Sequence, residues 1–99
     1  MITADIVPLP ENITLLYTGS NAMGNMFMIN QSSQTDQISV AINPDANLLP
    51  TAECWLLYNA LIPPRHTVTL QELGVSSANG VYVYSQLGVT SFTFTGTAY

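Results

Sequence analysis

Apolar and polar residues alternate in short runs along this chain, and clusters of Gly, Pro, Asn and Ser separate the runs at intervals of roughly 8–12 residues, the spacing of an all-β sandwich or barrel. No stretch carries a helical apolar stripe. The runs predict strands over NITLLYTG (12–19), NMFMINQ (25–31), ISVAIN (38–43), CWLLYNAL (54–61), TVTLQEL (67–73), VYVYSQ (81–86) and VTSFTFTG (89–96). In the first, Ile13, Leu15 and Tyr17 share one face. In the second, Phe27 and Ile29 are expected to point inward, with Met26 and Met28 on the other side. Ile38, Val40 and Ile42 form the inward set of the third, CWLLYNAL reads as a largely buried strand, and Val68 and Leu70 are the inward set of the fifth. Asn79-Gly80 is read as a hairpin or tight turn before VYVYSQ.

The segment ITADIVPLPEN holds two prolines and shows no clear pairing pattern, which suits an extended arm over residues 1–11 lying on a single sandwich domain of residues 12–99. The fold expectation is therefore all-β: one antiparallel β-sandwich, jelly-roll or Ig-like, with an extended N-terminal arm. A chain of 99 residues with 47% hydrophobic content is long enough for one such core.

Charge narrows the function. Only 7% of residues are charged, with one Arg, no Lys and a formal net charge of −5. Such a surface cannot neutralise a row of phosphates or be drawn to anionic lipid, so neither nucleic acid nor membrane is an expected partner. No apolar run approaches the roughly 20 residues that span a bilayer as a helix. The start, Met1-Ile2-Thr3-Ala4-Asp5, has no basic segment leading into an apolar one, from which synthesis and assembly in a cytoplasm is expected.

The candidate chemistry is sparse. Arg65 and His66 follow Pro63-Pro64 in NALIPPRHTVTL, and no nucleophile signature accompanies them, so they read as a loop whose Arg pairs with a carboxylate of its own or a neighbouring subunit. The carboxylates Asp5, Glu11, Asp36, Asp45, Glu53 and Glu72 are dispersed without calcium-loop spacing and are expected to be solvated. Cys54 is a lone thiol beside Trp55, read as a small buried hydrophobe. The sequons at Asn12 and Asn30 are read as accidental. Tyr82 and Tyr84 share the face of VYVYSQ opposite Val81 and Val83, and burial or a subunit contact is preferred there to a sugar platform. The expectation is thus no enzyme, no catalytic or metal-binding residue and no cofactor.

In sequence order, Ser39-Val40-Ala41-Ile42-Asn43-Pro44, Leu61-Ile62-Pro63, Thr67-Val68-Thr69-Leu70, Leu73-Gly74-Val75, Gly80-Val81-Tyr82-Val83 and Val89-Thr90-Ser91-Phe92-Thr93-Phe94-Thr95-Gly96 resemble the skeleton of the small β-sandwich virion proteins of tailed bacteriophages. The likeness covers residues 12–96 in short, hydrophobic pieces. The family often carries a small or acidic residue where this chain has Arg65-His66. The resemblance implies a capsid decoration (cement) protein that binds and stabilises the shell of the major capsid protein, acting as a symmetric homo-oligomer, a trimer by family analogy, and located in the virion after assembly in the host cytoplasm. Arg65, His66, Tyr82 and Tyr84 are then candidates for a subunit contact. A neck, tail or fibre/baseplate module and a carbohydrate-binding β-sandwich using Trp55 or Tyr82 and Tyr84 are the alternatives.

Overall fold

The computed structural model describes residues 2–44, 50 and 54–99. Eight strands follow one another: β1 (Ile2–Ile6), β2 (Thr14–Thr18), β3 (Ala22–Asn30), β4 (Asp36–Asn43), β5 (Trp55–Ile62), β6 (Thr67–Val75), β7 (Gly80–Ser85) and β8 (Thr90–Ala98). They form two antiparallel four-stranded sheets, ordered β1-β8-β3-β6 and β2-β7-β4-β5. The first half of the chain pairs with the second in reverse order: β1 with β8, β2 with β7, β3 with β6 and β4 with β5. Eight strands so ordered make a jelly roll and exclude the Ig-like alternative. Every connection except β4–β5 passes from one sheet to the other.

The alternation of the sequence becomes the core. Met26, Met28, Phe92 and Phe94 of the first sheet face Ile38, Val40, Val81 and Val83 of the second, all with 1% or less of their surface exposed. The inward residues of β3 are thus the methionines; Phe27 and Ile29, expected inside, lie outside at 37% and 38% exposure. All four residues are apolar, so the run itself does not choose a face. Cross-strand partners share a face, and Met26 opposes Phe94 while Met28 opposes Phe92, so the aromatic pair of β8 selects the methionines.

Bulges change the parity elsewhere. One extra residue of β2 between Leu15 and Tyr17 leaves Leu15 opposite Tyr82 on the outer face and sets Tyr17 opposite Val81, with its ring 5.4 Å from that of Phe94. The expected common face of Ile13, Leu15 and Tyr17 is therefore broken at Tyr17. In β6 an extra residue sits between Leu70 and Leu73, where Glu72 adopts φ 56° and its N–H donates to Asn25 Oδ1. This restores Leu73 and Val75 to the core after Val68 and Leu70, which pack against it.

Three further expectations need correction. CWLLYNAL is not largely buried, because β5 is an edge strand, and Leu56, Tyr58 and Leu61 are 50–68% exposed. Asn79-Gly80 closes a tight turn, as one alternative had it, but not a hairpin. Ser76 O accepts from Asn79 N, Ala78 takes φ 72°, and Gly80 already begins β7, because β6 and β7 lie in different sheets. The N-terminal segment is extended, but residues 2–6 are a strand in register with β8, Ile2 opposite Gly96 and Ile6 opposite Phe92. It thereby covers an edge of β8 that would otherwise be open.

Candidate functional site

The outer face of the second sheet carries the concave feature that the fold builds from its own sequence pattern. The outward residues at the centre of β4 are small, Ser39 and Ala41, while the strands on either side present large rings. Tyr82 and Tyr84 of β7 oppose Ala41 and Ser39, and Trp55 of β5 opposes Ala41 on the other side. Small residues on a central strand between aromatic neighbours leave a trough. A pocket of about 260 Å³ opens there, lined by Ile13, Ser39, Trp55, Tyr58, Asn59 and Tyr84.

A bulge completes the trough. Trp55 and Tyr58 are three residues apart and would lie on opposite faces of a regular strand. Relative to β4, strand β5 carries two extra residues, one in the bulge between Leu57 and Ala60 and one between Trp55 and Leu57, and the latter brings both rings to the same side. Their centroids are 5.5 Å apart at 52°. Asn59, at φ 53°, occupies the bulge, and its backbone N–H donates to Ser39 Oγ at 3.0 Å. Among the described residues, no charged side chain lines the pocket. Of the residues singled out from the sequence, Tyr84 and Trp55 are here. Tyr82 lies on the same sheet face but keeps only 6% of its surface. Tyr58 and Asn59 were not singled out, because their meeting with Tyr84 depends on the bulge.

Arg65 and His66 lie outside this pocket, in the turn from β5 to β6. Pro63 O accepts from His66 N at 3.3 Å, and Arg65 sits at φ 58° after Pro64, the arrangement of a type II turn. His66 Nδ1 lies 2.8 Å from Pro64 O, and both residues are exposed. The intramolecular ion pair weighed for Arg65 is not formed among the described residues. The third position of a type II turn favours glycine. Relief of the left-handed strain, about 1–2 kcal/mol, outweighs the added freedom of the unfolded glycine. Arg65→Gly is therefore expected to raise stability by roughly 0.5–1 kcal/mol, and thermal melting at neutral pH checks it. A lowered midpoint would mean that the Arg side chain holds the turn.

Asp36 departs most from expectation. It is fully buried at the start of β4 rather than solvated. Its Oδ1 accepts from Gln37 N at 2.8 Å and Leu87 N at 3.0 Å; Oδ2 accepts from the Thr90 hydroxyl at 2.6 Å and from the Ser85 hydroxyl. Burial alone would raise its pKa, but the donors from Ser85, Thr90, Leu87 and Gln37 outweigh it and hold the carboxyl below the usual aspartate range. Beside it, Asn30 is also fully buried. Its Nδ2 donates to Gln34 O and Ile62 O, and its Oδ1 accepts from Ser32 N and Oγ, so its sequon is an Asx turn that closes this end of the sandwich. With no access to solvent, Asp36, Ser85 and Thr90 form a structural clasp.

Cys54 is half-buried, with Sγ 3.8 Å from Asn43 Oδ1. Asp45 and Glu53 lie outside the described residues. Among the described residues, no group of three His, Cys, Asp or Glu side chains is placed to hold a metal ion. No family model matches the chain, and neither a curated protein nor a solved structure does.

Proposed function

We propose that this chain is a structural subunit of a tailed-phage virion, a capsid decoration protein that binds the shell of the major capsid protein through protein–protein contacts. The observation that supports this reading most is the outer face of the first sheet. Met23, Phe27 and Ile29 stand 37–47% exposed on the outer face of the central strand β3, with Asn25 between Met23 and Phe27. All but one of their cross-strand neighbours bear a hydroxyl: Thr69 and Thr93 lie beside Phe27, Thr67 and Ser91 beside Ile29, and Thr97 beside Met23, whose other neighbour is Gly74. Apolar residues whose direct cross-strand partners are uncharged lose little hydration when covered and mark an interaction face. Many copies on a lattice would add avidity to small individual contacts. The resemblance of residues 12–96 to small phage β-sandwich proteins supplies the partner, and a symmetric oligomer, a trimer by the same analogy, is the expected working form.

The test is cosedimentation with empty shells. The wild-type chain is expected to pellet with shells, and Phe27→Ser, a change on the outer face, is expected to weaken that binding at least tenfold while staying folded at the assay temperature, as circular dichroism checks. Pelleting with tail or neck preparations instead of shells would move the subunit to those structures. A chain that stays in the supernatant with every virion component would refute the proposal.

A further inference from the structure

The trough on the second sheet carries chemistry that shell binding does not use. Its walls are the rings of Trp55, Tyr58 and Tyr84, and its floor is Ser39. The polar groups of the described residues that face it are all neutral. The Asn59 carboxamide, the Tyr58 and Tyr84 hydroxyls and the Trp55 indole N–H have no intramolecular hydrogen-bond partner among the described residues. Tyr58 is 66% exposed, and its ring lies against that of Trp55.

The ligand class follows by matching these features one by one. Among the described residues the lining holds neither a cation for a phosphate or carboxylate ligand nor an anion for an amine. A purely apolar ligand would leave the unengaged amide and hydroxyls unpaired. A pyranose ring has an apolar C–H face that rests on an aromatic ring and an edge of neutral hydroxyls that both donate and accept. The volume, about 260 Å³, lies just below the roughly 300 Å³ at which drug-sized pockets begin, so it suits one sugar ring rather than a peptide or a long lipid. Asn59 adds a second argument. It occupies a left-handed position that glycine would fill more easily, yet the residue there presents two donors and two acceptor lone pairs to the trough.

We propose that this trough binds one residue of a neutral saccharide, its ring resting against the aromatic wall of Trp55, Tyr58 and Tyr84 and its hydroxyls held by Asn59. The site is separate from Met23, Phe27 and Ile29, so it stands or falls independently of shell binding.

Trp55 is the only tryptophan of the chain, so its fluorescence reports the site directly. Glucose, galactose, mannose and N-acetylglucosamine, as single sugars and as short oligomers, are titrated against the wild-type protein, with glucuronate as the charged control. At least one neutral sugar is expected to shift the emission saturably, with a Kd around 1 mM for a single ring, and glucuronate is expected to bind at least tenfold more weakly. Asn59→Gly keeps the backbone geometry and removes only the carboxamide. It is expected to melt at or above the wild-type temperature while losing about tenfold in affinity. Tyr58→Ala, at an exposed position, is expected to lose at least as much. A Trp55 signal unmoved by every neutral sugar overturns the proposal, as does full affinity in Asn59→Gly. A signal that follows protein concentration alone also overturns it, since a second copy would then fill the trough.

Discussion

Asp36→Ala is expected to lower the thermal midpoint by roughly 15–30 °C at neutral pH. The substitution leaves four donors, from Gln37, Leu87, Ser85 and Thr90, facing a small cavity at a fully buried position. A buried donor left unsatisfied costs about 1–3 kcal/mol, and rotation of the two hydroxyls recovers part, so a loss of about 4 kcal/mol is a central expectation. For a domain of this size each kcal/mol moves the midpoint by about 4–8 °C. Asp36→Asn retains the shape, but its amide would meet a Ser85 Oγ that already accepts from Gly88 N and Val89 N. It should cost about half as much.

The pH dependence provides an independent check. A carboxyl whose folded pKa is depressed stabilises the fold fully above its unfolded value of about 3.9, and that stabilisation is lost as pH falls through the lower folded value. The gap in stability between wild type and Asp36→Ala should therefore hold from neutrality down to about pH 4 and narrow below it. Urea unfolding across that range measures the gap. A gap that stays constant to about pH 2 would show that the clasp does not depend on the carboxylate's charge.

Gly24→Ala is expected to destabilise by about 3 kcal/mol or more. Gly24 of β3 faces Gly96 of β8, and a methyl group there would come within 2.0 Å of the Thr95 carbonyl oxygen and 2.5 Å of Gly96 Cα. Both obstacles are backbone, so no rotamer change relieves them and the strands must separate. Gly74→Ala is the control. Its added methyl would meet Met23 Cε at 3.4 Å, a flexible end that can move. With alanine favoured over glycine within a strand by roughly 0.5–1 kcal/mol, that variant should unfold in urea at or above the wild-type midpoint. Equal midpoints for the two variants would contradict the close approach of β3 and β8.

Much of this fold was legible in the chain, and the failures have specific causes. The strands from β2 to β8 lie where alternation placed them, to within one to three residues at each end. Strand β1 was hidden by Pro8 and Pro10, which suggested an arm. The alternation of Ile2, Ala4 and Ile6 with Thr3 and Asp5 was the available signal, and these residues do alternate between half-buried and exposed. Asp36 looked like another dispersed carboxylate because its hydroxyl partners, Ser85 and Thr90, lie 49 and 54 residues away. Of the trough, the rings of Trp55 and Tyr84 could be marked as candidates, but Tyr58 and Asn59 could not.

The sequence by itself determined the all-β class, the approximate strands and the inward sets of β4 and β6, because side-chain direction along a strand repeats every two residues and the repeat is local. Tertiary structure alone decided the jelly-roll order, the choice of Met26 and Met28 over Phe27 and Ile29, the burial of Asp36 and the trough between Trp55, Tyr58 and Tyr84. Each of these depends on which distant strand lies alongside and on where one extra residue shifts the register. That information resides in pairs of segments, not in either segment read alone.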